Sequence, residues 1–330
     1  MQPSPKLCKE SLTHLRRSKN LLAFSGGIDS SALFFLLIEA RIDFDIAHVN
    51  YQTRTTSQEE ALHAQKLAQK YAKKCHVLTC NLPQNNFEST AREARYAFFE
   101  TLCCDNSYDT LITAHQLDDR FEWLMMQLCR GAGVVELIGF KEQERRAHYT
   151  LLRPLIHVNK SDLRDYLQHN NLPFFEDSSN EDVRYTRNKF RHHVCAPLLK
   201  TYASGISASL DFLEKDARSL EGTFCRTEKD LYVFTCKDDL HDSRMIDQAM
   251  KRLGIVMSQK QRQEALKPNS VIGGKIAVGR NKTLGFIAPY TKESIPKAFR
   301  EKCRLCKIPQ HIRAYMYSHH IDPYLFLSNS

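Results

Sequence analysis

Near the amino end, Ser25-Gly26-Gly27-Ile28-Asp29-Ser30-Ser31 joins a short apolar run, Leu21 to Phe24, to an apolar stretch beginning at Asp29. Two adjacent glycines let the backbone turn sharply and come close to a ligand. Asp29, Ser30 and Ser31 fall where a helix would start, and the free N–H groups and positive dipole end of a helix start favour an anion. The hydroxyls of Ser25, Ser30 and Ser31 can add donors. Together they make a phosphate cradle without a lysine, so the loop is neither GxxxxGK[ST] nor GxGxxG. A lysine-free cradle suits a pyrophosphate that leaves better than a γ-phosphoryl group that is transferred. An ordinary Gly-Gly turn with a polar cap is the competing reading.

A second group lies in Thr113-Ala114-His115-Gln116-Leu117-Asp118-Asp119-Arg120-Phe121-Glu122. On a helix beginning near Gln116, Asp118 and Glu122 stand four apart and Asp119 and Glu122 three apart, sharing a face. Carboxylates beside a histidine can take a cation, hold a metal or accept a proton. An acidic first turn that suits the helix dipole is the alternative. Arg92 and Arg95 stand three apart, and Arg187, Asn188 and Arg191 follow Glu176-Asp177-Ser178-Ser179-Asn180. Such groups grip phosphate or balance surface acids such as Glu88 and Glu93.

These residues need a scaffold that gathers them. Strand-like runs at Leu21–Phe24, Phe44–Val49, Val77–Cys80, Thr110–Thr113 and Leu151-Leu152 alternate with helical patterns at Asp29–Ala40, Ser57–Lys74, Glu88–Leu102, Gln116–Cys129 and Lys160–His169. Repeated strand-then-helix units predict a doubly wound parallel α/β sheet with right-handed crossovers. Ligands then bind beyond the carboxyl ends of the strands, where the winding reverses. That places Ser25–Ser31, His48–Arg54 and Thr113–Glu122 at the expected site.

The pattern SGGxDSS after a first strand resembles the pyrophosphate loop of the ATP pyrophosphatases, which adenylate a carbonyl-type oxygen and displace AMP with a nitrogen or sulfur nucleophile. His48-Val49-Asn50-Tyr51-Gln52-Thr53-Arg54, Ala91-Arg92-Glu93-Ala94-Arg95-Tyr96, the Thr113–Glu122 stretch running on to Leu128–Gly133, and Tyr185–Arg191 narrow the match. Over about residues 20–200 the chain resembles the tRNA(Ile)-lysidine synthetase family. The resemblance implies an adenine-nucleotide α-hydrolase-like fold. It also implies a reaction: ATP activates the wobble cytidine of tRNA(Ile) with a CAU anticodon, and free lysine then displaces AMP at C2. ATP and Mg²⁺ would be needed. Ser25, Gly26, Gly27, Ile28, Asp29, Ser30, Ser31, His48, Val49, Asn50, Thr113 and Ala114 would form the ATP site, with Asp29 as a Mg²⁺ ligand. Asp29, Arg92, Arg95, His115, Asp118, Asp119 and Glu122 would be catalytic, His115 taking the proton of the incoming amine. Arg187, Asn188 and Arg191 would hold tRNA. Tyr51 and Trp123 depart from the family, which usually has His and Thr there. Trp123, the only Trp, reads as a core or interface residue.

After about residue 200 the pattern changes. Ser209–Leu220, Asp242–Leu253 and Ser258–Leu266 read as helices, Leu231–Cys236 as a strand, and Val271–Ile287 as short strands and turns. This predicts a second, smaller domain of mixed, partly helical character, so the chain divides into a catalytic domain at 1–200 and a tRNA-binding domain at 201–330. The net charge of +9 is uneven: counting Lys and Arg against Asp and Glu leaves about +12 on residues 251–320. A basic lobe suits a polyanion, and Lys297, Lys302 and Arg304 are its candidate tRNA contacts.

The 330 residues are 42% hydrophobic and 26% charged, with no apolar run long enough for a membrane span. Eleven scattered cysteines are no disulfide framework. A cytoplasmic protein outside the membrane is expected, and the resemblance adds association into a homodimer. Cys303 and Cys306, with His311, His319 and His320 downstream, are a weak zinc candidate. Two other functions compete: a tRNA thiolase sharing the same loop, and a tRNA-binding protein without turnover. The acids beside the phosphate site argue against the last, because binding a polyanion gains nothing from them.

Overall fold

The computed structural model describes residues 4–52, 57–81, 87–175, 186–220 and 222–327, without the side chains of Glu88, Thr186, Arg187 and Ser219. Thr53, Arg54, Glu176–Asn180 and Tyr185 lie outside the described residues. The chain divides into two compact units, Met1–Asp216 and Ala217–Ser330. Helix α9 (Ala196–Leu220) extends across residue 200, where the sequence pattern changes, and the division falls near its end.

In the first unit, β1 (Asn20–Ala23), β2 (Asp45–Asn50), β3 (Cys75–Thr79), β4 (Thr110–Ile112), β5 (Gln143–Arg145) and β6 (Thr150–Leu152) form one sheet in the order β3-β2-β1-β4-β6-β5. Every pairing is parallel except β5 with β6. Strand side chains alternate between faces. Leu22, Ile46, Ile112 and Leu152 therefore enter one core, with α2 (Ile28–Glu39), α3 (Ser57–Lys70) and α7 (Lys160–His169). Leu21, Ala47, Leu111 and Leu151 enter the opposite core, with Phe99 and Leu102 of α4 (Phe87–Asn106). Both faces are covered, which is why α2 is apolar almost all round, with Ala32 to Leu37 buried.

The order reverses beside β1: β2 lies on one side and β4 on the other. The carboxyl ends of β1 and β4 therefore leave a crevice, and the two chemically suggestive stretches follow those two ends. The expected sheet is present, with one strand more: β5 is three residues long, and its polar sequence QER gives no apolar signal.

In the second unit, β7 (Arg226–Glu228), β8 (Leu231–Thr235), β9 (Asn269–Ile272), β10 (Ile276–Arg280) and β11 (Leu284–Pro289) form an antiparallel sheet in the order β7-β8-β11-β10-β9. Tyr232, Phe234, Val278 and Ile287 face α10 (Asp239–Arg252) and α11 (Gln259–Ala265). Leu231, Val233, Ala277 and Phe286 face α12 (Lys297–Leu305) and α13 (Arg313–Ser318). Cys303 and Cys306 are buried free thiols in this second layer, beside Ile308 and Ile312. Burial pushes the Cys303 thiol up to about 11, so in the apolar layer it stands as a neutral thiol at pH 7. Among the described residues no group of three or more His, Cys, Asp or Glu is arranged to hold a metal.

Candidate functional site

The loop after β1 is built around Ser30. Its Oγ accepts from the N–H groups of Ser25 (3.2 Å) and Gly26 (3.1 Å) and donates to the Gly27 carbonyl (3.2 Å). Ser31 Oγ donates to the Gly26 carbonyl at 3.0 Å. These bonds curl the chain into a tight turn in which Gly26 takes φ +84°, the left-handed region that favours glycine. Phe175 closes the turn from outside, its N–H donating to the Gly26 carbonyl at 2.9 Å. Gly27 begins α2 with no side-chain cap. The first-turn N–H groups are left facing an open space, the arrangement that seats anions.

That space is a cavity of about 490 Å³, lined by the loop, by His48, Val49 and Asn50 at the carboxyl end of β2, and by Thr113, Ala114 and His115 after β4. Arg95 and Tyr96 of α4, Asp119, Lys160, Phe175 and Arg191 line it as well, with Tyr51, Ser57 and Glu60 among the rest. His48 is buried, and Nδ1 bonds the Phe24 carbonyl at 3.0 Å. Burial lowers its pKa, so the ring is neutral at pH 7 and Nδ1 carries the proton. Thr113 Oγ1 and His115 Nδ1 are 3.0 Å apart.

Asp29 stands at the centre of the charge distribution. Its Oδ2 is 3.5 Å from Lys160 Nζ, and its Oδ1 is buried with no hydrogen-bond partner. Burial outweighs the opposing pull of Lys160 and, with smaller pushes from Asp119 and Asp118, holds the carboxyl up at about 6. An orphaned carboxylate oxygen beside an anion seat fits a hard cation that takes one protein ligand and fills the rest with phosphate and water.

The acids of α5 (Leu117–Leu128) divide between structure and site. Asp119 lines the cavity and also closes a capping box with Gln116. Asp118 accepts from the Lys160 N–H at 3.0 Å, tying α5 to the start of α7, and burial pushes its carboxyl up. Glu122 is buried behind the cavity wall. It takes Arg191 in a two-pronged pair, 2.6 Å from Nε and 3.2 Å from a terminal nitrogen.

The structure thus brings Asp29, His48, Arg95, His115, Asp119 and Arg191 around one cavity. Arg92 is not in that wall; its guanidinium lies 4.9 Å over the Tyr96 ring. Gly26 and Ser31 shape the loop from behind, and Asn188 is buried. The Arg187 side chain lies outside the described residues. Lys297, Lys302 and Arg304 lie exposed on α12 of the second unit. Two groups escaped the sequence reading. Lys160 was hidden because it opens a helix far along the chain from both acids it meets, Asp118 through its backbone N–H and Asp29 through its side chain. Arg120 stands inside the Thr113–Glu122 stretch with no role read for it, yet it is fully buried and pairs with Asp211 (3.0 Å) and Glu214 (2.8 Å) of α9.

Residues 4–198 match the PP-loop domain family. The chain is 41% identical over 314 residues to the tRNA(Ile)-lysidine synthase of Campylobacter jejuni, covering 95% of this chain and 97% of the relative. It is 44% identical to that of Wolinella succinogenes (94% and 96% covered) and 39% to that of Helicobacter pylori strain J99 (94% and 92%). Among solved structures, the U34-tRNA thiolase of Methanococcus maripaludis shares the fold, with a TM-score of 0.51, 17% identity, and 67% of this chain and 84% of that one covered. A nucleotide-type loop at the switch point, acids and a histidine facing it, and relatives alike over nearly their whole length converge: the chain belongs to the tRNA(Ile)-lysidine synthase family of PP-loop proteins.

Proposed function

We propose that the protein joins free lysine to C2 of the wobble cytidine of tRNA(Ile) with a CAU anticodon, forming a carbon–nitrogen bond at the expense of ATP. Cytidine O2 attacks the α-phosphorus and pyrophosphate leaves. The lysine ε-amine then attacks C2, the C2–O2 bond breaks, AMP leaves and the amine gives up a proton. The observation that carries this reading is the single cavity in which the glycine loop, Asp29, His115, Asp119 and Arg191 meet.

Each residue has a physical task. Pyrophosphate leaves only if its charge is neutralised, which falls to the loop N–H groups, Lys160 and Arg95. Mg²⁺ held by Asp29 would supply further charge neutralisation at the phosphates. The substrate amine has a pKa of about 10.4 in water and must lose its proton to attack. His115, steadied by Thr113, is the proposed acceptor, and Asp119 attracts the ammonium before transfer. The strand-end groups of His48 to Asn50 would read adenine. Arg191 sits where it meets both Glu122 and the cavity, and so couples the α5 acids to the RNA-facing wall. Asn188 and the basic face of α12 would position tRNA, and a homodimer remains part of the proposal.

Among the described residues no cysteine lines the cavity, and a thiolase of the kind that carries sulfur on cysteine would need one there. The test is to incubate the protein with unmodified tRNA(Ile), ATP and labelled lysine. Lysine-dependent label in RNA, with AMP release in equal amount, is expected. AMP release that requires a sulfur donor, or tRNA binding without AMP, would overturn the assignment.

A further inference from the structure

Trp123 follows Glu122 on α5 and points away from the buried pair. The residue keeps 37% of its surface exposed, and its Nε1–H donates to the Glu136 carbonyl at 2.9 Å. Its one polar atom is therefore used, and what remains in solvent is apolar π surface. The ring is seated rather than loose. Gly139 beneath it takes φ +63°, and a β-carbon there would overlap the indole. Phe140 packs against it with ring centres 5.8 Å apart, and Phe140 in turn stacks on His115 at 4.9 Å and 26°. His115 lines the cavity. The Arg153 guanidinium lies 5.5 Å from the centre of the Phe140 ring, fixing the middle of the series. A continuous row of π faces thus runs from the catalytic cavity to an exposed indole.

We propose that Trp123 is a stacking platform for an unpaired nucleobase of the RNA substrate, one next to the cytidine that enters the cavity. This rests on the reading of the protein as a tRNA-modifying enzyme. A cytidine must leave its stack to present O2, and its neighbours then lose a stacking partner. A rigid aromatic face with no free polar atom replaces that partner whatever the base, because every base has a π face. A polar small molecule would gain nothing from this surface. Continuity with the cavity favours the substrate strand over an unrelated partner, and Arg145 on the β-hairpin after Phe140 is exposed and adds positive charge for a strand, whereas Arg146 is paired with Glu144 at 2.7 Å.

The only Trp in the chain makes the test direct. The full-length protein is titrated with the anticodon stem-loop of tRNA(Ile) while indole emission is recorded, and binding is followed separately by gel shift. Saturable quenching with the midpoint of the gel shift is expected. Trp123→Leu should bind the stem-loop about ten-fold more weakly, and Trp123→Phe should recover most of that loss, with ATP binding unchanged in both. Binding without quenching, or Trp123→Leu binding as tightly as the parent, overturns the platform. Emission that changes with protein concentration in the absence of RNA assigns this face to a second copy and overturns it too. No binding by the parent at all removes the tRNA reading beneath it.

Discussion

Asp29 sets the chemistry of the loop, and its environment gives a pH signature. Its carboxyl is held up to about 6 by burial, and only the ionised form can take a cation. The kcat/KM for ATP should therefore fall as pH drops through about 6, as a steady-state pH profile would show. The stability contribution has the opposite sense: the folded state holds more protons than the unfolded chain between about 4 and 6, so stability falls as pH rises across that window. Lys160 pulls the same carboxyl down. Lys160→Ala should move the acidic limb of the profile upward, and a limb that stays in place would free Lys160 of that role. Asp29→Asn should cut AMP formation by about 10²-fold or more while leaving tRNA binding nearly intact, and equal loss of both would contradict the assignment. At this scale the sequence was informative where chemistry is local. The serine, glycine and aspartate of the loop are adjacent in the chain, so their spacing alone announced an anion seat. Lys160 was invisible because its partner is distant in sequence.

Between elements, α5 is the piece that relates the acids to the rest of the fold. Its N-terminus is fixed by the Gln116–Asp119 box and by Asp118, which accepts from the Lys160 N–H at the start of α7, and its middle is pinned by Arg120 between Asp211 and Glu214 of α9. Arg120 is fully buried. Arg120→Ala leaves a buried glutamate without its cation and should destabilise the first unit by about 3 kcal/mol, measurable by urea unfolding. A loss below about 1 kcal/mol would show that the pair is structurally idle. Element types along the first unit were legible because apolar runs alternate with helical periods. Bounds and short pieces were not. Polar β5 carries no period, and helix α9 begins at Ala196, whereas the apolar pattern reads as helical only from Ser209. The i, i+3 and i, i+4 spacing of the α5 acids suggested one shared face, but Asp118 turns to the start of α7. It could not reveal that Glu122 is turned inward to Arg191 while Asp119 meets the cavity, because that depends on what packs behind the helix.

The whole molecule pairs a near-neutral PP-loop unit with a strongly basic second unit. The second sheet is covered on both faces by helices, so its strands read as unbroken apolar runs such as Leu231–Phe234, and the sequence gives little hint of the sheet's order. Charge was the legible property of that half. Reversing Lys297, Lys302 and Arg304 together should weaken tRNA binding and reduce its salt dependence by about three counterions. An unchanged slope would move the RNA footprint elsewhere. All of these expectations depend on where the triphosphate sits. A crystal structure with a non-hydrolysable ATP analogue and the tRNA anticodon stem-loop tests that directly. The β- and γ-phosphates should lie on the N–H groups at the start of α2, with the α-phosphorus turned toward the cytidine O2. Phosphates bound anywhere but the Ser25–Ser31 loop would contradict the account.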